Sequence, residues 1–499
     1  MSPLETETHS AEARRAPITG IRPSRSRILV AGLALGALWA PFLGCGPRGE
    51  GEAKAAATVA PPSRVFLITI DTLRADHLGS YGYERPTSPF LDELAARGTL
   101  FEHAIVQWPK TGPSFASMFT GLYPRSTGLR RKAALTLPDR YETMAEVFRA
   151  EGYTTVAVVG NAVLDGELGW RQGFDEYVEA WSRPGLELET RVDWKRALDA
   201  TQITPMSIEV AERYREDERL FAWFHFMDPH GPYVLPPGES NPFLDEVPEP
   251  VDVVDWPIPK DIRLEDRKDL AYYVAQYDAN VAVADRWIRT LFDRLEELGL
   301  LDDALVVVTS DHGESLGERR TFGHGKHAFN NTLRVPLIFF DPERVAAGRR
   351  VEQPVELVSL LSTLKELVQV QAGTGEVLDG ASFADALRGE EARVSGPNYA
   401  FAEAGHIRRT YLSVQNAERK LIALATPDKD LERYELYHLE DDPAERSELL
   451  GQGAELPADL AARLTEYFEI IPGEAARDDE QAELAPEIER ALKALGYVN

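Results

Sequence analysis

Five short runs limit what this chain can fold into. "RVFLITID" (64–71), "TTVAVVGN" (154–161), "LFAWFHFMDPH" (220–230), "DALVVVTSDH" (303–312) and "RVPLIFFD" (334–341) are near-continuous in apolar and β-branched residues. Strands apolar on both faces must be covered on both faces, the condition of a parallel sheet between two helix layers. Helical patterns separate them. "SPFLDELAARGTLF" (88–101) and "YETMAEVFRAEG" (141–152) read as helices. In "VAVADRWIRTLFDRLEELG" (281–299), Val281, Ala284, Ile288, Leu291, Leu295 and Leu298 share one face and Gly299 stops the helix. The expected fold is therefore α/β, with a large, mostly parallel sheet sandwiched by helices. Asp71, Asp228, His230, Asp311 and His312 all stand at the carboxyl ends of the apolar runs. Ligand sites of open α/β sheets lie just outside those ends, so residues distant in sequence can meet there.

With 499 residues the chain can bury a large core and carry a smaller second domain. Its 82 acidic against 54 basic residues give a net charge of −28, a surface that repels polyanions and excludes nucleic acid as a partner. A small anionic substrate is not excluded, because a local site governs its binding. Cys45 is the sole cysteine, so no intrachain disulfide forms. Arg22, Arg25 and Arg27 precede the apolar run "ILVAGLALGALWAPFLGC" (28–45), the pattern of an export signal. Its "FLGC" ending resembles a bacterial lipoprotein cleavage box, with Cys45 as the lipidated first residue and Leu43 where a small residue is usual. The alternative is a single-span membrane anchor. Both make the protein membrane-tethered; the first makes it an exported bacterial envelope lipoprotein, periplasmic or tethered to the outer membrane. Residues 46–63 then form a flexible tether, 64–395 a catalytic domain, and 396–499 a smaller C-terminal domain with a helical tail. Short strands are expected in "RTYLSVQNAERKLIAL" (409–424) and "RYELYHLEDDPAE" (433–445). Nothing in the chain indicates an oligomeric state.

One stretch poses a choice. In "WPKTGPSFASMFTGLYP" (108–124), Phe115, Met118, Phe119 and Leu122 recur at helical spacing, and Pro113 suits a first helical turn. Thr111 thus lies at or just before a helix N-terminus, either as its cap or as a nucleophile aimed at an anion. Asp71, Thr111, Asp311 and His312 together form a mixed nitrogen–oxygen ligand set for a divalent cation, open to Zn, Mn, Mg or Ca. A cation lowers the pKa of a bound hydroxyl-type oxygen, and a helix N-terminus offers N–H groups to an oxyanion.

From about Val65 onward the chain resembles the sulfatase family of the alkaline phosphatase superfamily. The resemblance rests on "ITIDTLRADHLGSYGYERPTSPFLDELAARGTLFEHA", "GPSFASMFTGLYP", "FMDPHGPY", "TSDHGESLGE", "GHGKHAFNNTLRVPLIFF" and "ELYHLEDDPAE", in that order. It implies a large α/β domain with a metal site at the strand ends and a smaller C-terminal α+β domain with a short antiparallel sheet. It implies that Asp71, Asp311 and His312 ligate metal, and that His230 and Lys326 contact the ester oxygens or the leaving group. His324 and His327 flank Lys326. Thr111 falls where sulfatases carry the cysteine or serine that becomes formylglycine, a conversion closed to threonine, so no formylglycine is expected. Phe115 replaces the family's arginine and Thr72 an aspartate that many sulfatases have. "VGNAVLD" (159–165), with Asn161, stands in place of a "GKWHLG"-type stretch. Relatives that transfer phosphoglycerol or phosphoethanolamine, and nucleotide phosphodiesterases, use a metal-bound threonine similar to this set. The phosphodiesterases hold a second zinc, for which Asp228, His230, His324 and His327 are candidates here.

The resulting expectation is a metal-dependent hydrolase or transferase of a phosphate or sulfate ester. Thr111 acts as nucleophile and metal ligand, Lys326 and His230 assist, and His324 and Asn161 bind substrate. The alternatives are a sulfatase working without formylglycine and an inactive lipoprotein that binds an envelope component. His225, inside an apolar run, reads as a core histidine. His77, His406 and His438 carry no assigned role.

Overall fold

The computed structural model describes residues 60–470 apart from 131–135, 184–185, 187, 189, 248–251, 261, 265, 371–376, 390–398, 407–408 and 427–429, together with residue 489. By internal contacts the chain divides into Met1–Ala57 and Thr58–Asn499, and the described residues belong to the second unit. Cys45 and its apolar run, most of the tether and residues 471–488 of the tail lie outside them. No helix among the described residues is long and apolar enough to cross a membrane.

The apolar runs form an eight-stranded sheet. In chain order its strands are β1 (Arg64–Ile70), β2 (Thr99–Phe101), β3 (Thr154–Val159), β4 (Glu176–Glu179), β5 (Leu220–Phe226), β6 (Ala304–Thr309), β7 (Leu337–Phe340) and β8 (Arg349–Val351). Their spatial order is β8-β2-β7-β6-β1-β5-β3-β4. The block β6-β1-β5-β3-β4 is parallel throughout. Phe66, Leu67, Ile68 and Ile70 of β1 and all seven residues of β5 are fully buried, as both-face coverage requires; each large apolar side chain so placed stabilises the fold by about 2 kcal/mol.

Two boundaries differ from expectation. "RVPLIFFD" is not one strand: Arg334–Val335 pairs with Ala104–Ile105 in a separate three-stranded sheet, and β7 starts after Pro336. Proline has no N–H for a ladder, and the chain changes sheet there. β7 runs antiparallel to both neighbours, so the sheet is mixed at that edge. The long helix runs from Leu270 to Glu297, starting well before the predicted face. Its first turns bury Tyr273, Gln276, Tyr277, Asp278 and Asn280, whose polar groups disguise the apolar period.

Near the C-terminus, β9 (Ala400–His406), β10 (Arg409–Gln415), β11 (Arg419–Ala425) and β12 (Leu431–His438) make an antiparallel sheet in sequence order. The helix Ala458–Phe468 packs on it through Leu460, Leu464 and Tyr467, against Leu412, Val414, Leu421 and Leu436. This sheet is joined to the rest by backbone bonds from Gly405 N to Gly325 O and from Glu403 N to Gln107 O, both 2.9 Å.

Candidate functional site

Adjacent parallel strands deliver the polar residues to one place. Asp71 follows β1, Asn161 follows β3, Asp228 and His230 follow β5, and Asp311 and His312 follow β6. One donor atom from each of Asp71, Asp311 and His312 lies within 4.8 Å of the others, and all three residues are buried.

Local hydrogen bonds leave one lone pair of each residue uncommitted. His312 Nδ1 is 2.9 Å from the Gly313 carbonyl, which can only accept, so Nδ1 carries the proton and Nε2 the lone pair. Asp311 Oδ1 accepts from the backbone N–H of His312 at 3.0 Å and of Thr72 at 3.3 Å. Its Oδ2 has no hydrogen-bond partner and stands 3.3 Å from His312 Nε2. Asp71 Oδ2 accepts from Asn161 Nδ2 at 2.6 Å, while Oδ1 has no hydrogen-bond partner and is 4.0 Å from His312 Nε2.

Two fully buried carboxylates this close destabilise one another. Burial, then the Asp71 charge, push the Asp311 carboxyl well above the usual carboxylate range. Burial opposes ionisation of Asp71 too, yet His230, ahead of His225 and His312, holds it below that range. Two orphaned carboxylate oxygens and an imidazole lone pair that face one another fit a divalent cation, which would relieve the repulsion.

Thr111 opens the helix Thr111–Thr120, all ten of whose residues are buried. The cap position falls to Lys110, so Thr111 is the first residue of the helix rather than its cap. Thr111 Oγ1 lies 3.5 Å from His312 Nε2, alongside the carboxylate pair. Ser114 fixes the helix to β6 by donating from Oγ to Asp311 O at 2.6 Å. Nor is the Asp311-His312 pair a helix cap, because no helix follows it.

Some expected residues gather here and others do not. His230 Nδ1 bonds to Gly231 O at 2.7 Å, and its ring centroid lies 5.4 Å from that of His324. The His324 ring is 4.2 Å from His312. Lys326 is exposed, its ammonium donating to Phe322 O at 3.1 Å. The second-metal set of Asp228, His324 and His327 does not assemble. Asp228 is ion-paired with buried Lys195 at 2.5 Å and caps the backbone N–H of Ala200. His324 Nδ1 faces Glu314 at 3.2 Å, and His327 turns to the rings of Phe329 and Tyr411, at a cavity backed by the C-terminal sheet. Among the described residues, Asp71, Asp311 and His312 form the one such triad.

The structure adds residues that sequence reasoning passed over. His225 is a core residue by burial, yet its Nε2 lies 3.6 Å from Asp71 Oδ2. Thr69 Oγ1 accepts from Trp223 Nε1 at 2.9 Å and lies 2.9 Å from His225 Nδ1, which ties the imidazole to β1. Pairing of Thr69 with His225 across β1 and β5, one step from the strand ends, is the signal that could have revealed it. Buried Glu314, two residues past His312, has its carboxyl raised to about 7 by burial. Phe115 is sealed among Phe119, Trp170, Trp223 and His225, with ring centroids 5.1 to 6.4 Å away. Thr72 is buried, its Oγ1 has no hydrogen-bond partner, and its φ of 59° is unusual for a β-branched residue.

Comparison with known proteins fits this architecture. The Sulfatase family model matches residues 63–370, and that of the N-sulphoglucosamine sulphohydrolase C-terminal region matches 317–469. Iduronate 2-sulfatase of Mus musculus is 27% identical over 392 residues, covering 61% of this chain and 68% of that protein. Among solved structures, a 2-O GAG sulfatase aligns with a TM-score of 0.67 at 22% identity, over 86% of this chain and 96% of the other. A phosphonate monoester hydrolase from Silicibacter pomeroyi aligns with a TM-score of 0.66 at 22% identity, over 81% and 94%. The chain belongs to the sulfatase family and is an ester hydrolase of that superfamily.

Proposed function

We propose that this chain cleaves a phosphate or sulfate ester with Thr111 as the nucleophile, at a single divalent-cation site made by Asp71, Asp311 and His312. The observation that carries the reading is the 3.5 Å approach of Thr111 Oγ1 to His312 Nε2, beside two carboxylate oxygens that lack partners. A cation bound there supplies positive charge that acidifies the threonine hydroxyl and offsets charge growing on the ester oxygens. The protein's own residues do the rest. Thr111 Oγ1 attacks phosphorus or sulfur as its proton passes to solvent water; the ester bond to the leaving oxygen breaks, and that oxygen takes a proton from His230 or from water. His230 and Lys326 serve the departing oxygen. Asn161 and His225 hold the Asp71 carboxylate in orientation, and Ser114 keeps the nucleophile helix in register with β6. Water then releases the covalent threonine ester.

The test is intact-mass analysis of cation-loaded protein after brief exposure to aryl phosphate mono- and diesters and an aryl sulfate. An adduct of phosphoryl or sulfuryl mass is expected on the parent and absent from Thr111→Ala. Equal turnover by both proteins would remove Thr111 from the reaction. The second reading is a sulfatase that works without formylglycine and acts on sulfate esters alone, favoured by likeness to a named sulfatase; exclusive turnover of the aryl sulfate would select it. Tethering through Cys45 belongs to the proposal as well, and incorporation of a labelled fatty acid, lost in Cys45→Ala, tests it.

A further inference from the structure

The C-terminal sheet has two faces. One packs under the helix Ala458–Phe468; the other, with residues 327–329, borders a cavity of about 620 Å³, a size usual for small-molecule sites. Its wall is a run of rings. Tyr411 and His327 have centroids 5.7 Å apart, His327 and Phe329 5.9 Å, and Phe329 and Tyr437 5.9 Å. A regular strand sends successive side chains to opposite faces, yet Arg433, Tyr434 and Glu435 of β12 all line this cavity. A β-bulge allows it. Ile422 of β11 pairs with Glu435 and Leu424 with Glu432, so Arg433 and Tyr434 together oppose Ala423. Arg433 takes a φ of 50°, a strained value for a residue with a long side chain.

The polar groups of the cavity divide into two kinds. Arg319 and Glu448 hold the wall together. The Arg319 guanidinium lies 3.6 Å from the Phe329 ring centre and donates to the carbonyls of Ala444 and Glu445. Glu448 accepts from the backbone N–H of Leu436, Leu450 and Gly451 at 2.7 to 3.1 Å. The other groups are available. Glu435 accepts from Tyr437 Oη at 2.9 Å with Oε2 and keeps its second oxygen. The exposed Arg433 guanidinium and the hydroxyls of Tyr411 and Tyr434 make no hydrogen bond among the described residues.

We propose that this cavity binds a sugar ring carrying a carboxylate, at a site separate from the Thr111 centre. Aromatic faces carry partial negative charge and attract the C–H groups of a pyranose. The planar fork of Arg433 matches the two oxygens of a carboxylate. The hydroxyls of Tyr411 and Tyr434 and the second oxygen of Glu435 meet the sugar hydroxyls; a flat aryl carboxylate would leave them unmatched. His327 forms part of the wall and stands three residues after His324, whose ring is 4.2 Å from that of His312. One loop thus borders both the sugar site and the carboxylate–imidazole triad. The sugar site does not depend on the threonine mechanism.

The experiment titrates the full chain with D-glucuronate, D-glucose and benzoate, followed by ligand-observed NMR, for the parent, Arg433→Gln, Tyr434→Ala and Thr111→Ala. Expected is glucuronate binding at least about tenfold tighter than that of glucose or benzoate, with a loss of about tenfold in Arg433→Gln and in Tyr434→Ala. Thr111→Ala, and the parent with chelator present, bind glucuronate as the parent does. Arg433 is exposed and its side chain bonds to nothing in the protein, so Arg433→Gln decides the matter even if Tyr434→Ala fails to fold. Glucuronate affinity unchanged in Arg433→Gln, or equal to that of glucose, overturns the proposal. So does benzoate binding as tightly as glucuronate, which would assign the cavity to an aryl ligand. Binding lost on chelation or in Thr111→Ala would place the sugar at the ester centre and also overturn it. Absence of a Thr111 adduct leaves the sugar site standing, and absence of sugar binding leaves the threonine mechanism standing.

Discussion

Asn161 is the side chain on which the Asp71 geometry turns. Its Oδ1 accepts from Val163 N at 3.0 Å, which orients the amide so that Nδ2 donates to the carboxylate. Asn161→Ala is expected to lower divalent-cation affinity by about 10- to 100-fold, the usual effect of losing a group that orients a ligand; competition against a fluorescent chelator measures it. Unchanged affinity would mean that Asp71 is positioned without it. Phe115→Arg, which restores the residue of the wider family, is expected to destabilise the fold by about 3–5 kcal/mol, because it buries a guanidinium among aromatic rings. Chemical denaturation with and without the substitution reads this directly. At this scale Asp71, Asp311 and His312 were legible because each ends a strand apolar enough to be recognised. His225 was not: it lies inside such a strand, where period alone hides which neighbour it meets.

At the level of elements, the loop 323–327 depends on the C-terminal sheet as much as on its own strand. Gly405 of β9 bonds to Gly325, and Lys420 of β11 pairs with Glu445 at 2.8 Å while donating to Asn330 Oδ1 at 2.7 Å. Lys420 is fully buried, and burial lowers its pKa despite the partner. Glu445→Leu strands that ammonium and is expected to cost about 3–5 kcal/mol in urea unfolding; Lys420→Met combined with Glu445→Leu should recover most of it. If the single and double variants are equally unstable, the pair is not the cause. The antiparallel course of β7 was illegible, because an apolar run looks the same in either direction. The C-terminal hairpin was legible, since its strands are short and apolar-alternating, with the polar break Asn416–Glu418 between them.

For the molecule as a whole, buried carboxyls set the pH response. Glu356 accepts from Tyr123 Oη and Phe401 N, both at 2.9 Å, joining the main unit to β9, and burial raises its carboxyl from 4.5 to about 7. A raised acid disfavours folding once the unfolded chain can ionise. Its contribution is therefore intact below pH 4.5, declines as pH rises, and is lost above about 7. The full difference is about 3 kcal/mol. Glu356→Gln should flatten the unfolding free energy across that window, and an unchanged slope in thermal melts at pH 5, 6 and 7 would assign the effect to other groups. The sheet order has a consequence of its own. Because β1 and β6 stand side by side yet lie far apart along the chain, a cation held by Asp71, Asp311 and His312 would act as a clasp between two halves of the polypeptide. A molecule nicked in the segment around Val253, which is 59% exposed, would keep its pieces together longest when loaded, and a chelator would hasten their parting.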